Sequence, residues 1–164
     1  MKDFLDILIF AGVLGSGLVA EIFFAFSTFV MRALGQIPQE QGIAAMQAIN
    51  VTVLNPWFFS AFFGTGVVFL PIAFLAWGST AGSQKTCLLA ACALYLLGCI
   101  LVTMVGNVPL NDQLAALGID SAEAQPLWGH YLSQWTLWNH VRTAASLVAA
   151  GLFAVSLWGG PFAD

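Results

Sequence analysis

Long apolar runs broken by short polar segments set the rhythm of the chain. Three of the runs are compact, at about residues 4–31, 57–77 and 86–105, and a fourth has its core over about 133–158. Each has the roughly 20 apolar residues that a helix rising 1.5 Å per residue needs to cross a bilayer core. Between the first two lies a polar connection, Gly35 to Glu40, followed by an amphipathic segment from Gln41 to Leu54. That segment is too short and too mixed to span, and its pattern predicts a helix lying on the mouth of a bundle, with Met46, Asn50 and Leu54 on one face. Asn55-Pro56 reads as an N-cap followed by proline in the first turn, opening span two; the alternative is one long helix kinked at Pro56. Gly106-Asn107-Val108-Pro109-Leu110-Asn111 is a helix-stop signal, after which Asn111-Asp112 caps a short helix to Leu117 and Gly118 breaks it. Ser121-Ala122-Glu123 then starts a helix that runs through Tyr131 and Trp135 into span four and ends near Trp158. The pattern predicts an all-α fold: an integral membrane four-helix antiparallel bundle, with a short extramembrane helix between spans one and two, forming a single domain over residues 1–164.

Composition identifies the solvent. Of 164 residues 60% are hydrophobic and 7% charged, against roughly 25% charged in soluble domains; a chain this short cannot hide that much apolar surface from water, so its partner is membrane lipid. Four Lys and Arg within a net charge of −4 give no electrostatic footprint for nucleic acid. Lys2 and Lys85 fall on one side of a four-span bundle and Arg32 on the other, which favours cytoplasmic termini in a cell (inner) membrane, as a multi-pass protein. The run from Phe4 to Met31 is far longer than a signal-peptide core and reads as a retained span. Cys87, Cys92 and Cys99 share one span without a CxxC pair and read as buried free thiols. Trp57, Trp77, Trp128, Trp135 and Trp158 fall where an interfacial aromatic belt would put them, whereas Trp138 lies a helical turn deeper.

Candidate chemistry concentrates in Trp135-Thr136-Leu137-Trp138-Asn139-His140-Val141-Arg142, at the head of the last apolar run. At about 100° per residue, Trp135, Asn139, Arg142 and Ser146 share a narrow stripe, and His140 points roughly 160° away from Arg142. A guanidinium inside a span should face a partner or a wet cavity. Glu21, the carboxylate deepest in any span, lies on a stripe with Thr28 and Arg32, and Gly12, Gly15 and Gly17 allow close helix approach nearby. We therefore expect one polar chamber at the outer mouth in which Glu21 lies within reach of Arg142, as a counter-charge or as a proton acceptor. Asn50 and Asn139 also admit a plainer role as interhelical hydrogen-bond glue, and Asn55 as a cap. His130 reads as solvated. The two histidines are ten residues apart, roughly 15 Å along one helix, too far to share a metal ion. A haem or copper held by one histidine and Met46 or Met104 is the alternative to a site with no metal and no cofactor.

Three pieces of sequence carry a family resemblance: Met46-x-x-x-Asn50 before Asn55-Pro56, Asn107-Val108-Pro109-Leu110-Asn111, and Trp135-x-x-Trp138-Asn139-x-x-Arg142. Together, from Glu21 to Arg142, the chain resembles the anthrone oxygenase-like family of small four-span membrane proteins. The matching positions are Asn50, Asn107, Pro109, Asn111, Trp138, Asn139 and Arg142. The resemblance implies oxidation of a flat, lipid-soluble, anthrone-like aromatic with O2 as co-substrate. Such chemistry needs a base at an acidic CH2, donors at the oxyanion that forms, and an aromatic slot that excludes water. His140 or Glu21 serves as the base in that scheme, with Arg142, Asn139, Asn107 or Asn111 as donors, Trp135 and Trp138 as walls, and Asn50 as a further substrate contact. Two other classes remain open: a module that binds or transports a hydrophobic aromatic, quinone or lipid without changing it, and a structural accessory subunit; a homo-oligomer is compatible with any of them.

Overall fold

The computed structural model describes residues 2–79, 82–118 and 124–157. Its described residues form five helices and no strand: α1 Lys2–Leu34, α2 Gln39–Thr52, α3 Pro56–Ser79, α4 Gly82–Ala115 and α5 Ala124–Leu157. All but α2 are long and apolar enough to cross a membrane. The all-α bundle and its short extra helix between spans one and two are thus present, in a multi-pass membrane protein. The proposed helix start at Ser121–Glu123 and the end near Trp158 lie outside the described residues.

Helix α1 packs most extensively against α5 and next against α3, while α4 closes the bundle against α5 and α3. The small residues anticipated in α1 account for part of that closeness. A Cβ on Gly12 would meet the Phe69 ring at 3.0 Å, and one on Gly15 would run into the Thr65 side chain, whereas Gly17 faces open space. Between α4 and α5 a Cβ on Gly98 would lie 2.6 Å from that of Ala145. With no solvent drive between helices in lipid, such close approach is what dispersion packing requires. The outward faces are apolar, as at Phe10, Leu14 and Leu18 on α1 and Val67, Leu70 and Phe74 on α3.

Two buried clusters divide the core. One, with Leu5, Ile9, Phe69, Ile72, Tyr95 and Phe153, fills the half nearer the N-terminus. The other packs α2 through Ile43 and Met46 against Leu110, Leu114, Trp128, Tyr131 and Trp135 at the opposite end. Asn55 is the cap expected of it: its Oδ1 accepts the backbone N–H of Phe58 at 3.0 Å. A break at Val53–Asn55 separates α2 from α3, so the single kinked helix is excluded.

Span three does not stop near residue 105. It runs on through Pro109 to Ala115, and Asn111 lies inside it rather than capping a separate helix. Two wide π-helical turns, Leu96–Leu101 and Thr103–Asn107, precede the proline. A helix registered i to i+5 just before Pro109 has room for the ring and already breaks the four-residue ladder that the missing N–H would break. The tryptophan belt also needs correction. Trp57 and Trp77, at the two ends of α3, are exposed, but Trp128 and Trp135 are buried in the core, and Trp158 lies outside the described residues.

Candidate active site

The stripe on α5 is buried along its whole length: Trp128, Tyr131, Trp135, Asn139, Arg142 and Ser146 all face the bundle interior. Spacings of three and four hold these side chains on one face, and the helix does not need to deform to present them. Residues off the stripe diverge from it, and His140, two positions before Arg142, is exposed.

Arg142 is 4% exposed. Its Nη2 donates to Asn139 Oδ1 at 2.6 Å and its Nη1 to Thr103 Oγ1 at 3.3 Å, while Nε has no partner among the described residues. The guanidinium carbon sits 4.1 Å from the centre of the Phe23 ring and 5.0 Å from that of Trp135. A desolvated cation–π contact contributes about 2 kcal/mol, but a buried charge without a counter-charge remains costly. Asn139 is fixed in turn. Its Nδ2 donates to the Phe23 carbonyl and to Ser27 Oγ, both at 2.7 Å, so its oxygen is left for the arginine. Ser27 also bonds Thr143 at 3.0 Å. Ser27 lies within a π-helical stretch of α1 at Phe26–Val30, Phe23 stands three residues before it, and Thr103 begins the second such stretch of α4. Wide turns of this kind loosen the backbone ladder and occur frequently at functional sites.

Beside the guanidinium is a cavity of about 300 Å³, within the range of small-molecule sites. Its polar lining is Arg142, Thr103, Asn111 and Asn50; its walls include Phe23, Phe26, Met46, Phe58, Phe62 and Trp135. Leu54, Phe59, Phe63 and Met104 line it as well and are also exposed on the bundle exterior, so the space communicates with the lipid-facing surface at α3 and α4. At the α2 end, Asn111 Oδ1 accepts from Trp135 Nε1 at 2.9 Å and from the Tyr131 hydroxyl at 2.8 Å. Asn50 Nδ2 donates to that hydroxyl at 3.3 Å.

The structure therefore brings together Arg142, Asn111, Asn50 and Trp135 around one cavity, with Asn139 behind the arginine. It separates the other candidates from them. Glu21 is exposed and does not line the cavity, so the expected chamber with Glu21 and its pairing with Arg142 are not formed. The Glu21, Thr28 and Arg32 stripe exists but faces outward, because Ser16, Val19, Ala20 and Phe23 are the residues of α1 that turn inward. His140 is likewise exposed and away from the cavity that Met46 and Met104 line. Asn107 is buried with its Nδ2 on the Trp135 carbonyl at 3.1 Å, outside the cavity lining. Trp138 is partly exposed and lies on Gly106 rather than forming a wall. Among the described residues no group of three or more His, Cys, Asp or Glu is placed to hold a metal ion.

Sequence reasoning passed over Tyr131, Phe23, Ser27 and Thr103. Tyr131 was within reach, since it stands four residues before Trp135 on the same stripe. The other three lie on α1 and α4, where nothing in the local pattern ties them to Arg142.

The family model for anthrone oxygenase matches residues 57–152. That stretch holds α3, α4 and most of α5, and with them Thr103, Asn111, Trp135, Asn139 and Arg142. Neither a curated protein nor a solved structure matches the chain.

Proposed function

Because the chain belongs to the anthrone oxygenase family, we propose that it is a membrane-embedded oxygenase taking a flat, lipid-soluble, anthrone-like aromatic into the cavity beside Arg142. The observation that carries this reading is a buried guanidinium that lines an aromatic-walled cavity and, among the described residues, is paired with neutral oxygens alone. A cation so placed favours an anion, and removing a proton from the CH2 of an anthrone makes one, with its charge delocalised onto the carbonyl oxygen. Arg142 and the Asn111 amide hold that oxygen, lowering the free energy of the enolate relative to the neutral ketone. The electron-rich carbon then reduces O2 and bonds to it. The resulting peroxide takes up a proton and loses water, leaving a second carbonyl, so that one anthrone and one O2 give one anthraquinone and one water. The reaction balances without another oxidant.

Among the described residues no carboxylate or imidazole lines the cavity, which changes the assignment of the base. Neither Glu21 nor His140 takes the proton in this scheme; water takes it, helped by the cation that stabilises the anion left behind. The same observation favours a second reading, in which the protein holds an aromatic anion or quinone without turning it over. A purely structural role accounts less well for a buried charge that opens onto an aromatic-walled slot. Oxygen uptake by purified protein with anthrone as substrate, with anthraquinone followed by its absorbance, separates the two: stoichiometric uptake above the spontaneous rate is expected. Binding without uptake would leave only the holding function.

We further propose that the termini face the cytoplasm and the α2 end the outside. Gln84 and Gln113 lie near opposite ends of α4 and are both exposed, about 40 Å apart along the helix. In a cysteine-free background, Gln84→Cys should react with an impermeant maleimide only after permeabilisation, and Gln113→Cys in intact cells. Labelling of both from one side contradicts the orientation and the spanning of α4.

A further inference from the structure

The indole of Trp135 fixes the polarity of every group at the α2 end of the cavity. An indole nitrogen can only donate, so the Asn111 atom 2.9 Å from it is the amide oxygen. That same oxygen lies 2.8 Å from the Tyr131 hydroxyl, which must then donate its one proton there. With its proton committed, the hydroxyl can only accept from Asn50, and so Asn50 presents its Nδ2 to Tyr131. Two atoms are left over, and neither has a protein partner among the described residues: the Asn111 amide nitrogen and the Asn50 amide oxygen. Both side chains line the cavity.

We infer that Asn50 is a specificity-determining residue whose Oδ1 accepts a hydrogen bond from a ligand hydroxyl, with Trp135 as the positioning residue that holds the acceptor outward. The cavity then offers two kinds of polar contact: donors from Arg142 and Asn111 for a carbonyl or oxyanion, and one acceptor from Asn50. The ligand class that fits is a planar aromatic bearing an oxygen acceptor and, elsewhere on its edge, an O–H. A ligand whose hydroxyl is methylated puts a methyl group against the acceptor and leaves Asn50 Oδ1 unpaired in an apolar slot, which is the costlier half of a lost hydrogen bond. This inference rests on the cavity assigned above but does not need turnover.

The test is binding of 2-hydroxyanthraquinone against 2-methoxyanthraquinone, read by quenching of tryptophan fluorescence in detergent, at a pH below the hydroxyl's own titration. The wild-type protein is expected to prefer the hydroxyl compound by roughly tenfold. Asn50→Ala, which removes the acceptor, should bring the ratio close to one. Trp135→Phe frees Asn111 to turn its amide over and should narrow the ratio to between these values. Equal binding of the two compounds by wild type, or a preference that survives Asn50→Ala, overturns the role of Asn50; a preference unchanged in Trp135→Phe overturns the positioning role. Oxygen consumption without the preference removes this inference alone, and the preference without oxygen consumption removes the oxygenase alone.

Discussion

Arg142→Lys should lower the turnover of anthrone by about two orders of magnitude while leaving the protein folded. Lysine keeps the charge but not the planar fork that lets one residue bond Asn139 and Thr103 and still face the cavity. Losing one oriented oxyanion donor typically costs a hundredfold or more. Arg142→Met is the informative companion. Were Glu21 the counter-charge, methionine would strand a carboxylate and destabilise the bundle. Glu21 is exposed and elsewhere, so methionine instead removes an uncompensated buried charge. The relief of about 3 kcal/mol for a cation at membrane depth offsets much of what the lost cation–π contacts and hydrogen bonds contributed. Thermal unfolding in detergent should therefore place Arg142→Met near wild type, with turnover abolished. Unchanged oxygen uptake in the lysine variant would make Arg142 a packing residue and end the mechanism proposed for it.

Asn139→Leu is expected to be the most destabilising single change near the site, by about 2–4 kcal/mol. The amide makes three hydrogen bonds, to the Phe23 carbonyl, to Ser27 and from Arg142. The last involves a charged donor and contributes about 1.5–3 kcal/mol, whereas bonds between neutral groups in membrane bundles contribute about 0.6 kcal/mol each. The magnitude thus comes mainly from the guanidinium, left among the described residues with Thr103 as its one side-chain acceptor. Asn139→Asp separates support from chemistry: it restores an acceptor for Arg142 but sets a counter-charge beside it. It should melt above the leucine variant and still turn over anthrone poorly. If Asn139→Leu unfolds at the wild-type temperature, the arginine draws its support from elsewhere.

The fold was legible because its cause is local and repeated. Apolar length alone implied four spans, and Asn55-Pro56 announced the start of α3, where a cap and a ring-locked φ act within one turn. The buried stripe from Trp135 to Ser146 was legible for the same reason, since a regular helix converts spacing directly into direction. The errors have a shared origin. Gly106 to Asn111 contains every stop signal, yet the π turns of α4 carry the helix through Pro109, and a wide turn held by tertiary packing leaves no mark in the residue pattern.

By itself, then, the sequence determined the solvent, the number of crossings, the family and the one face of α5 on which Arg142 and Asn139 stand. Only the tertiary structure decided what that face meets. A polar stripe on α1 at Glu21, Thr28 and Arg32 looks like a natural partner for an arginine, and periodicity says that these residues share a face but not which way the face turns. The rotation of α1 is set by Gly12 and Gly15 packing against α3 and α5, which turns Phe23 inward and Glu21 outward. A phenyl ring and a backbone carbonyl therefore stand where the sequence suggested a carboxylate, and the guanidinium is left to the cavity.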